Sequence, residues 1–337
     1  MTANDARARD ADGCEPPSMT SPPWITAAMA RPRGSLLVEL VDRAHSAPPV
    51  RMGVVHPCDQ PSLQGALAAR DKGLIVPTLI GPRNKIEAAA HAAGLSLDGV
   101  DLIDVPHSHA AADQAVELVR RGKLQALMKG ALHTDELMGA VVRSGSGLRT
   151  ERRISHVFVI DAPTYHKLLL VTDAAINIAP TLDIKRDIVR NAVDLAQAIG
   201  VARPKVALLS AVETVEEKIP STIEAAALCK MADRGQIAGA DLDGPLAFDN
   251  AISRHAAETK NIRSTVAGDP DILVAPDLES GNILAKQLVF LAGADTVGVV
   301  LGARAPIVLT SRADDVASRV ASCALAQLFA HRPRPPA

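Results

Sequence analysis

Short runs of β-branched and aliphatic residues alternate with alanine-rich stretches of helical period along most of the chain, and this alternation constrains the fold more than any single motif. The runs RMGVVHP (51–57), GLIVPTLIG (73–81), GVDLIDVP (99–106) and KLQALMKG (123–130) are separated by segments such as NKIEAAAHAAG and HAAADQAVELVRRG. A second series follows: ISHVFVID (154–161), HKLLLVTDA (166–174), PKVALLSA (204–211), DILVAPD (271–277), TVGVVLG (296–302) and PIVLT (306–310). Between and after them the 3.6-residue period predicts helices at 181–199, closed by a glycine, and at 220–234, 280–292 and 314–330. Strands alternating with helices of this length build right-handed βαβ units on a mostly parallel α/β sheet. At 337 residues, and about 150 per domain, the chain is long enough for two domains.

Residues 1–33 are different. They mix alternating charge with Pro-Pro pairs and show no apolar period, so burial cannot offset the entropy of ordering them, and they read as a disordered leader. The tail HRPRPPA reads as frayed. No apolar run approaches the roughly 18 residues that span a bilayer, and the leader lacks the apolar stretch of a signal peptide. The four cysteines, Cys14, Cys58, Cys229 and Cys323, form no CxxC pair and no zinc spacing, as in a reduced compartment. The expectation is a soluble, cytoplasmic protein that binds no membrane.

Charge and aromatic content exclude further classes. The formal net charge is −2, so the general basic bias of a nucleic-acid binder is missing. One Trp, one Tyr and four Phe cannot furnish many stacking platforms. No nucleic-acid partner is expected.

In open α/β sheets ligands bind beyond the carboxyl ends of strands. The residues there are Lys129-Gly130, Asp173, Ser210, Asp277 and Thr310-Ser311-Arg312. Arginine grips planar anions in bidentate fashion and lysine adds a point charge. Lys129 and Arg312, together with Arg143, Arg149, Arg152 and Arg153, therefore point to a phosphate-bearing ligand, although the arginine-rich stretch VVRSGSGLRTERR can equally be a solvated loop. Ser311 with Asp314 three residues on has the spacing of a helix cap, with Ser311 as N-cap. Ser144–Gly147 (SGSG) resembles part of a phosphate loop, but GxGxxG and GxxxxGK[ST] are both absent. His107 and His109 have no third ligand at metal spacing, so no metal site is expected. Asp249 can line a cleft or cap a helix, and no Ser-His-Asp or Cys-His signature is present.

Several segments together resemble the phosphate acetyltransferase and phosphate butyryltransferase family: LMKGALHTDELMGAVV (127–142), RISHVFVID (153–161), TDAAINIAPT (172–181), KVALLSAVETVEEKIPST (205–222), DGPLAFDNAI (243–252) and PDLESGNILAKQLVFLAGADTVGVVLGARAPIVLTSRADD (276–315). The resemblance covers about residues 50–330, and PDLESGNILAKQL and TSRAD are its most specific parts. It implies two three-layer α/β/α domains of isopropylmalate dehydrogenase-like architecture, 34–160 plus 297–331 and 161–296, with the active-site cleft between them. The implied reaction is acyl-CoA plus phosphate giving acyl phosphate and CoA, with no covalent acyl-enzyme, no metal and no cofactor beyond coenzyme A as substrate. A homodimer is also implied.

By the same resemblance Ser311 bonds the tetrahedral centre, Arg312 and Arg149 hold the phosphoryl oxygens, and Asp314 or Asp315 takes the thiol proton. Lys129, Arg143, Asp277 and Ser280 complete the expected phosphate and CoA contacts, with Arg143, Arg149 or Lys129 expected at one cleft mouth. Acetyltransferases of the family usually place more residues between the Ser-Arg pair and the Asp; the short TSRAD form is that of butyryltransferases and of acetyltransferase domains fused behind a hydratase-like module. A cysteine found after the Asp of TDAAIN in some relatives is Ala174 here. Acetyl is the expected acyl group and butyryl the alternative, since one methylene is worth only about 1–3 kcal/mol of discrimination. A metal-dependent NAD dehydrogenase of related architecture would need paired metal-binding aspartates and an adenosine loop that the sequence does not show. A non-catalytic CoA- or phosphate-binding regulator would not need the Ser311-Arg312 pair.

Overall fold

The computed structural model describes residues 31–145, 147–309 and 314–332. Of the expected leader only Arg31–Arg33 is described, and Cys14, Ser146, Thr310, Ser311, Arg312 and the tail from 333 fall outside the described residues. At the start of the described chain, Arg31 pairs with the buried Asp161 and Arg33 pairs with Asp295 at 2.8 Å.

Among the described residues eleven strands form one sheet. They are β1 (Val50–Val55), β2 (Ile75–Gly81), β3 (Asp101–Asp104), β4 (Ala126–Lys129), β5 (Ser155–Asp161), β6 (Leu169–Thr172), β7 (Lys205–Leu209), β8 (Asp241–Leu246), β9 (Ile272–Val274), β10 (Asp295–Leu301) and β11 (Ile307–Val308). Their order is β3-β2-β1-β4-β11-β10-β5-β6-β9-β7-β8. Among the described residues β10 runs antiparallel to both its neighbours and β6 runs antiparallel to β5; every other pairing is parallel. The strands β1–β4 and β11 thus end at one edge of the sheet, and β6–β9 end at the opposite edge. The expected mostly parallel α/β architecture is what the chain adopts, with its strands joined in one sheet.

The helices are α1 (Ser35–Ala44), α2 (Gln60–Asp71), α3 (Arg83–Ala92), α4 (Ser108–Arg120), α5 (Thr134–Val142), α6 (Leu182–Ala198), α7 (Pro220–Asp233), α8 (Phe248–Ile252), α9 (Arg254–Thr259), α10 (Leu278–Phe290) and α11 (Val316–Ala330). One face of the sheet carries a single continuous core, in which residues of α1, α2, α6, α7 and α11 pack on strands from both halves. The other face carries two separate cores, one under α4 and α5 and one that includes residues of α8 and α9. The layers are therefore helix, sheet, helix, as βαβ crossovers on both faces require.

An edge strand and a helix cap depart from the sequence reading. Among the described residues β8 (DLDGPL) is the last strand of the sheet and pairs only with β7, and an edge tolerates its proline and two aspartates. The cap of α11 is Asp315, not Ser311: the helix begins at Val316, and the extended Asp315 accepts the Ser318 amide at 2.8 Å.

Candidate active site

The carboxyl edge of the first half takes its shape from a close approach of two backbones. Gly130 follows β4 and its amide donates to Val55 O at 2.9 Å, while Ala131 N donates to His56 O at 2.8 Å. A Cβ on Gly130 would meet Val55 O at 2.6 Å and His56 O at 2.7 Å, so glycine is the residue that fits. His56 itself has φ +54, a left-handed conformation that costs a non-glycine residue of order 1–3 kcal/mol and tends to persist at functional sites. Its Nδ1 lies 3.0 Å from Ala131 O. A carbonyl only accepts, so Nδ1 is the donor in this contact.

Around this junction lies a cavity of about 510 Å³, lined by His56, Asp59, Ser108, Lys129–His133, Glu136 and Arg319 among others. The first turn of α5 opens onto it, and helix N-termini favour anions. Glu136, on that turn, accepts the Ser108 hydroxyl at 2.8 Å and the His133 amide at 2.9 Å, and lies 3.1 Å from His109 Nδ1. The Ser108 hydroxyl, and after it the His133 amide, hold this carboxyl below its ordinary pKa. Two cations face the same space. Lys129 ends β4, and Arg319 reaches in from α11 with only 4% of its surface exposed. Arg319 Nε donates to Asp314 O at 3.2 Å, and α2 makes room for its stem at Gly65, where a Cβ would meet Arg319 Cδ at 2.7 Å.

β11 delivers the chain to this edge. It pairs in parallel with β4, Val308 opposite Met128, so Leu309 leaves the sheet beside Lys129, and the described chain resumes at Asp314, whose carbonyl bonds Arg319. Ser311 and Arg312 belong to the undescribed segment between these two points. Asp315 is exposed and engaged as the α11 cap, and the Ser318 amide holds its carboxyl below the ordinary value.

The other expected ligands do not converge here. α5 carries the chain away from the carboxyl edge of β4, so Arg143 and Arg149 fall outside this cavity. Arg143 pairs with Asp113 at 2.8 Å, with both side chains about half exposed. Exposed Arg149 bridges Ala303, just past the end of β10. Of Lys129, Arg143 and Arg149, only Lys129 lines this cavity. Asp277 and Ser280 follow β9 at the far edge and bond each other, Asp277 Oδ1 accepting the Ser280 amide and hydroxyl at 2.8 Å each, as the cap of α10. Asp173 is buried and accepts amides from Ala175, Ile176 and Asn177, which makes it an anchor for its own loop. Ser210 bonds Ser221 at 2.8 Å. Asp249 falls in the first turn of α8, and Ser253 caps α9. His107 caps α4, and among the described residues no group of three or more His, Cys, Asp or Glu could hold a metal ion.

Several lining residues escape the sequence reading, among them His56, Glu136 and Arg319. Arg319 left a trace, because it is the single charged side chain of the otherwise apolar α11. His56 is the first residue past the run RMGVV, a strand-end position, and Glu136 stands three residues after His133 in the spacing of a helix cap.

Residues 108–327 match the family model described as "Phosphate acetyl/butaryl transferase". The chain is 60% identical over 295 residues to a Rhizobium meliloti protein named phosphate acetyltransferase, covering 88% of this chain and 93% of that one. It is 39% identical over 292 residues to a Clostridium acetobutylicum protein named phosphate butyryltransferase, covering 87% and 97% respectively. A solved structure, a branched-chain phosphotransacylase from Enterococcus faecalis, superposes with a TM-score of 0.74 at 31% identity, covering 84% of this chain and all of that one. The matched span runs from Ser108 on the cavity wall through Lys129, Glu136 and the Ser311-Arg312 pair to Arg319, and on the identity and coverage of these relatives the chain belongs to the phosphate acetyl/butaryl transferase family.

Proposed function

We propose that this protein is a phosphate acetyltransferase, exchanging an acetyl group between coenzyme A and inorganic phosphate in a ternary complex. The observation that carries this reading is the 60% identity with the Rhizobium meliloti acetyltransferase over 88% of the chain. The same reading keeps the two domains, 34–160 plus 297–331 and 161–296, and takes the molecule as a cytoplasmic homodimer. Among the described residues no helix is long and apolar enough to cross a membrane.

In the direction of acetyl-CoA formation, a carboxylate takes the CoA thiol proton and the thiolate attacks the carbonyl carbon of acetyl phosphate. The tetrahedral centre then collapses, the carbon–oxygen bond to phosphate breaks and phosphate leaves. A thiol of pKa about 8.5 needs only modest help from a placed base. The protein must hold the reactants in line and stabilise the oxyanion. Ser311 bonds the tetrahedral centre, Arg312 holds the phosphoryl oxygens, and Lys129 and Arg319 supply charge from the cavity wall. Capping α11 lowers the basicity of Asp315, which favours Asp314 as the base.

The test is release of free CoA thiol from acetyl-CoA, propionyl-CoA and butyryl-CoA, with phosphate and, in parallel, arsenate as acceptor. Phosphate-dependent release with the highest kcat/KM for acetyl-CoA is expected. A higher value for butyryl-CoA would make the enzyme a butyryltransferase, and no release with any chain would remove the transferase reading. Asp314→Asn should lower kcat by about 10²–10⁴, against a few-fold for Asp315→Asn. The reverse pattern would move the base to Asp315.

A further inference from the structure

The arginine-rich stretch 143–153 takes no part in the cavity at the carboxyl edge, yet part of it borders a second, larger cavity of about 610 Å³. This one opens at the amino ends of β4 and β11, where Gln125 and Pro306 line it, and is thus at the other end of both strands from Lys129. Arg152, Arg304 and Arg332 face it, against Glu151 and Asp194, and Arg149 stands at its rim through the bridge to Ala303. The chain as a whole is slightly acidic, so this local surplus of guanidinium groups is a departure from its average.

The cations are held in place before any ligand arrives. Arg152 Nη1 donates to Asp194 Oδ2 at 2.6 Å with both side chains largely buried, and Arg332 lies 3.9 Å from the same carboxylate. Arg332 also stacks on Phe329, 3.5 Å from the ring centroid, and donates to Phe329 O at 2.8 Å. Arg304 is exposed at the mouth on a turn fixed by its amide bond to Leu148 O at 2.8 Å. Guanidinium forks pinned by one carboxylate and one ring are pre-organised for planar oxyanions, and the volume falls in the roughly 300–1,000 Å³ range of small-molecule sites.

We infer that this amino-edge cavity binds a small multivalent anion, bearing carboxylate or phosphate groups, at a site separate from that of the substrates. Binding is read directly, so the outcome does not depend on the proposed activity.

The experiment is calorimetric titration of the full chain with citrate and, separately, with inorganic pyrophosphate. It is repeated on Arg304→Glu, whose exposed side chain leaves the fold intact, and on Lys129→Ala. One site per chain is expected for at least one of the two probes. Arg304→Glu should weaken it by about tenfold or more, and Lys129→Ala should leave it within about twofold. Binding of citrate alone would assign carboxylates, of pyrophosphate alone phosphates, and of both the shared multivalent charge. No binding of either probe at millimolar concentration overturns the inference. So does binding indifferent to Arg304→Glu, and so does binding that Lys129→Ala abolishes, which would place the anion at the carboxyl edge.

Discussion

At the carboxyl edge of β4 the described cations are few and set by packing: Lys129 at the end of a buried strand, and Arg319 of α11, whose stem packs against α2 at Gly65. At the amino edge they are many and closer to water, and come from a loop, a hairpin turn and the end of α11. The sequence places Lys129 and Arg143 only fourteen residues apart. Nine of the intervening residues are α5, which at about 1.5 Å per residue carries the chain some 13 Å across the sheet. Charges close in sequence are thus separated by the helix between them, whereas Arg319, nearly two hundred residues from Lys129, is brought back to it. In a βαβ unit the side of the crossover on which a residue falls decides which site it can serve.

The strongest way to break this comparison is at the glycines. Gly130→Ala should lower kcat/KM by about 10²-fold or more, because its Cβ pushes apart the His56 and Ala131 backbones that shape the cavity. Gly145→Ala, on the far side, has open space around it and only its φ of +81 to oppose it, so it should cost up to about 1 kcal/mol of stability and no activity. Similar activity losses in steady-state assays of the two would dissolve the distinction between the edges.

Next in size is the pair Lys129→Ala and Arg149→Ala. Losing a charged hydrogen bond to the substrate should lower kcat/KM for phosphate by about 10²-fold at Lys129, and Arg149 should stay within about threefold. A large loss at Arg149 would restore it as a phosphate ligand and place the reaction at the wrong edge in this account.

The seam between the two halves provides a pH test. His156, in β5, is fully buried, and desolvation lowers its pKa from 6.5 to about 4, with the nearby Asp173 charge opposing the shift. Below pH 6.5 the unfolded chain binds this proton and the folded chain refuses it until about pH 4. Stability from this group is therefore complete above pH 6.5 and falls on acidification, by about 2 kcal/mol at pH 5. Urea unfolding of His156→Leu, compared with the parent between pH 7 and pH 5, should show the shallower slope; equal slopes would mean that the imidazole is not buried neutral.

The smallest effect expected is at the α11 cap. Asp315→Ala should cost about 1 kcal/mol by thermal unfolding, and Asp315→Asn, which can still accept the Ser318 amide, should cost much less. Equal losses would mean that Asp315 acts through charge on Arg319 rather than through the cap.

Most strands were legible because a strand buried on both faces must be apolar throughout, and runs such as LIVPTLIG have no other stable use. β8 was not, since an edge strand with Asp, Gly and Pro has the composition of a loop. α1 (SLLVELVDRA) has a clear helical period but follows the leader, and the sequence reading assigns it no element. The match to the family was legible in TSRADD and PDLESGN, but PDLESGN proved to contain a helix cap joined to a packing contact. Asp277 binds Ser280, and Asn282 donates to Ala174 O at 3.0 Å.

By itself the sequence determined the layer architecture, the strand-end position of Lys129 and membership of an acyl-transferring family, because local period and short motifs are properties of contiguous residues. Only the tertiary structure decided which charges meet. It set Arg319 and Glu136 in one cavity with Lys129, paired Arg143 with Asp113, took Arg149 to the opposite edge, and gave the cap of α11 to Asp315. Those outcomes depend on strand order, crossover direction and the close approach at Gly130, which are fixed only when the whole sheet is assembled.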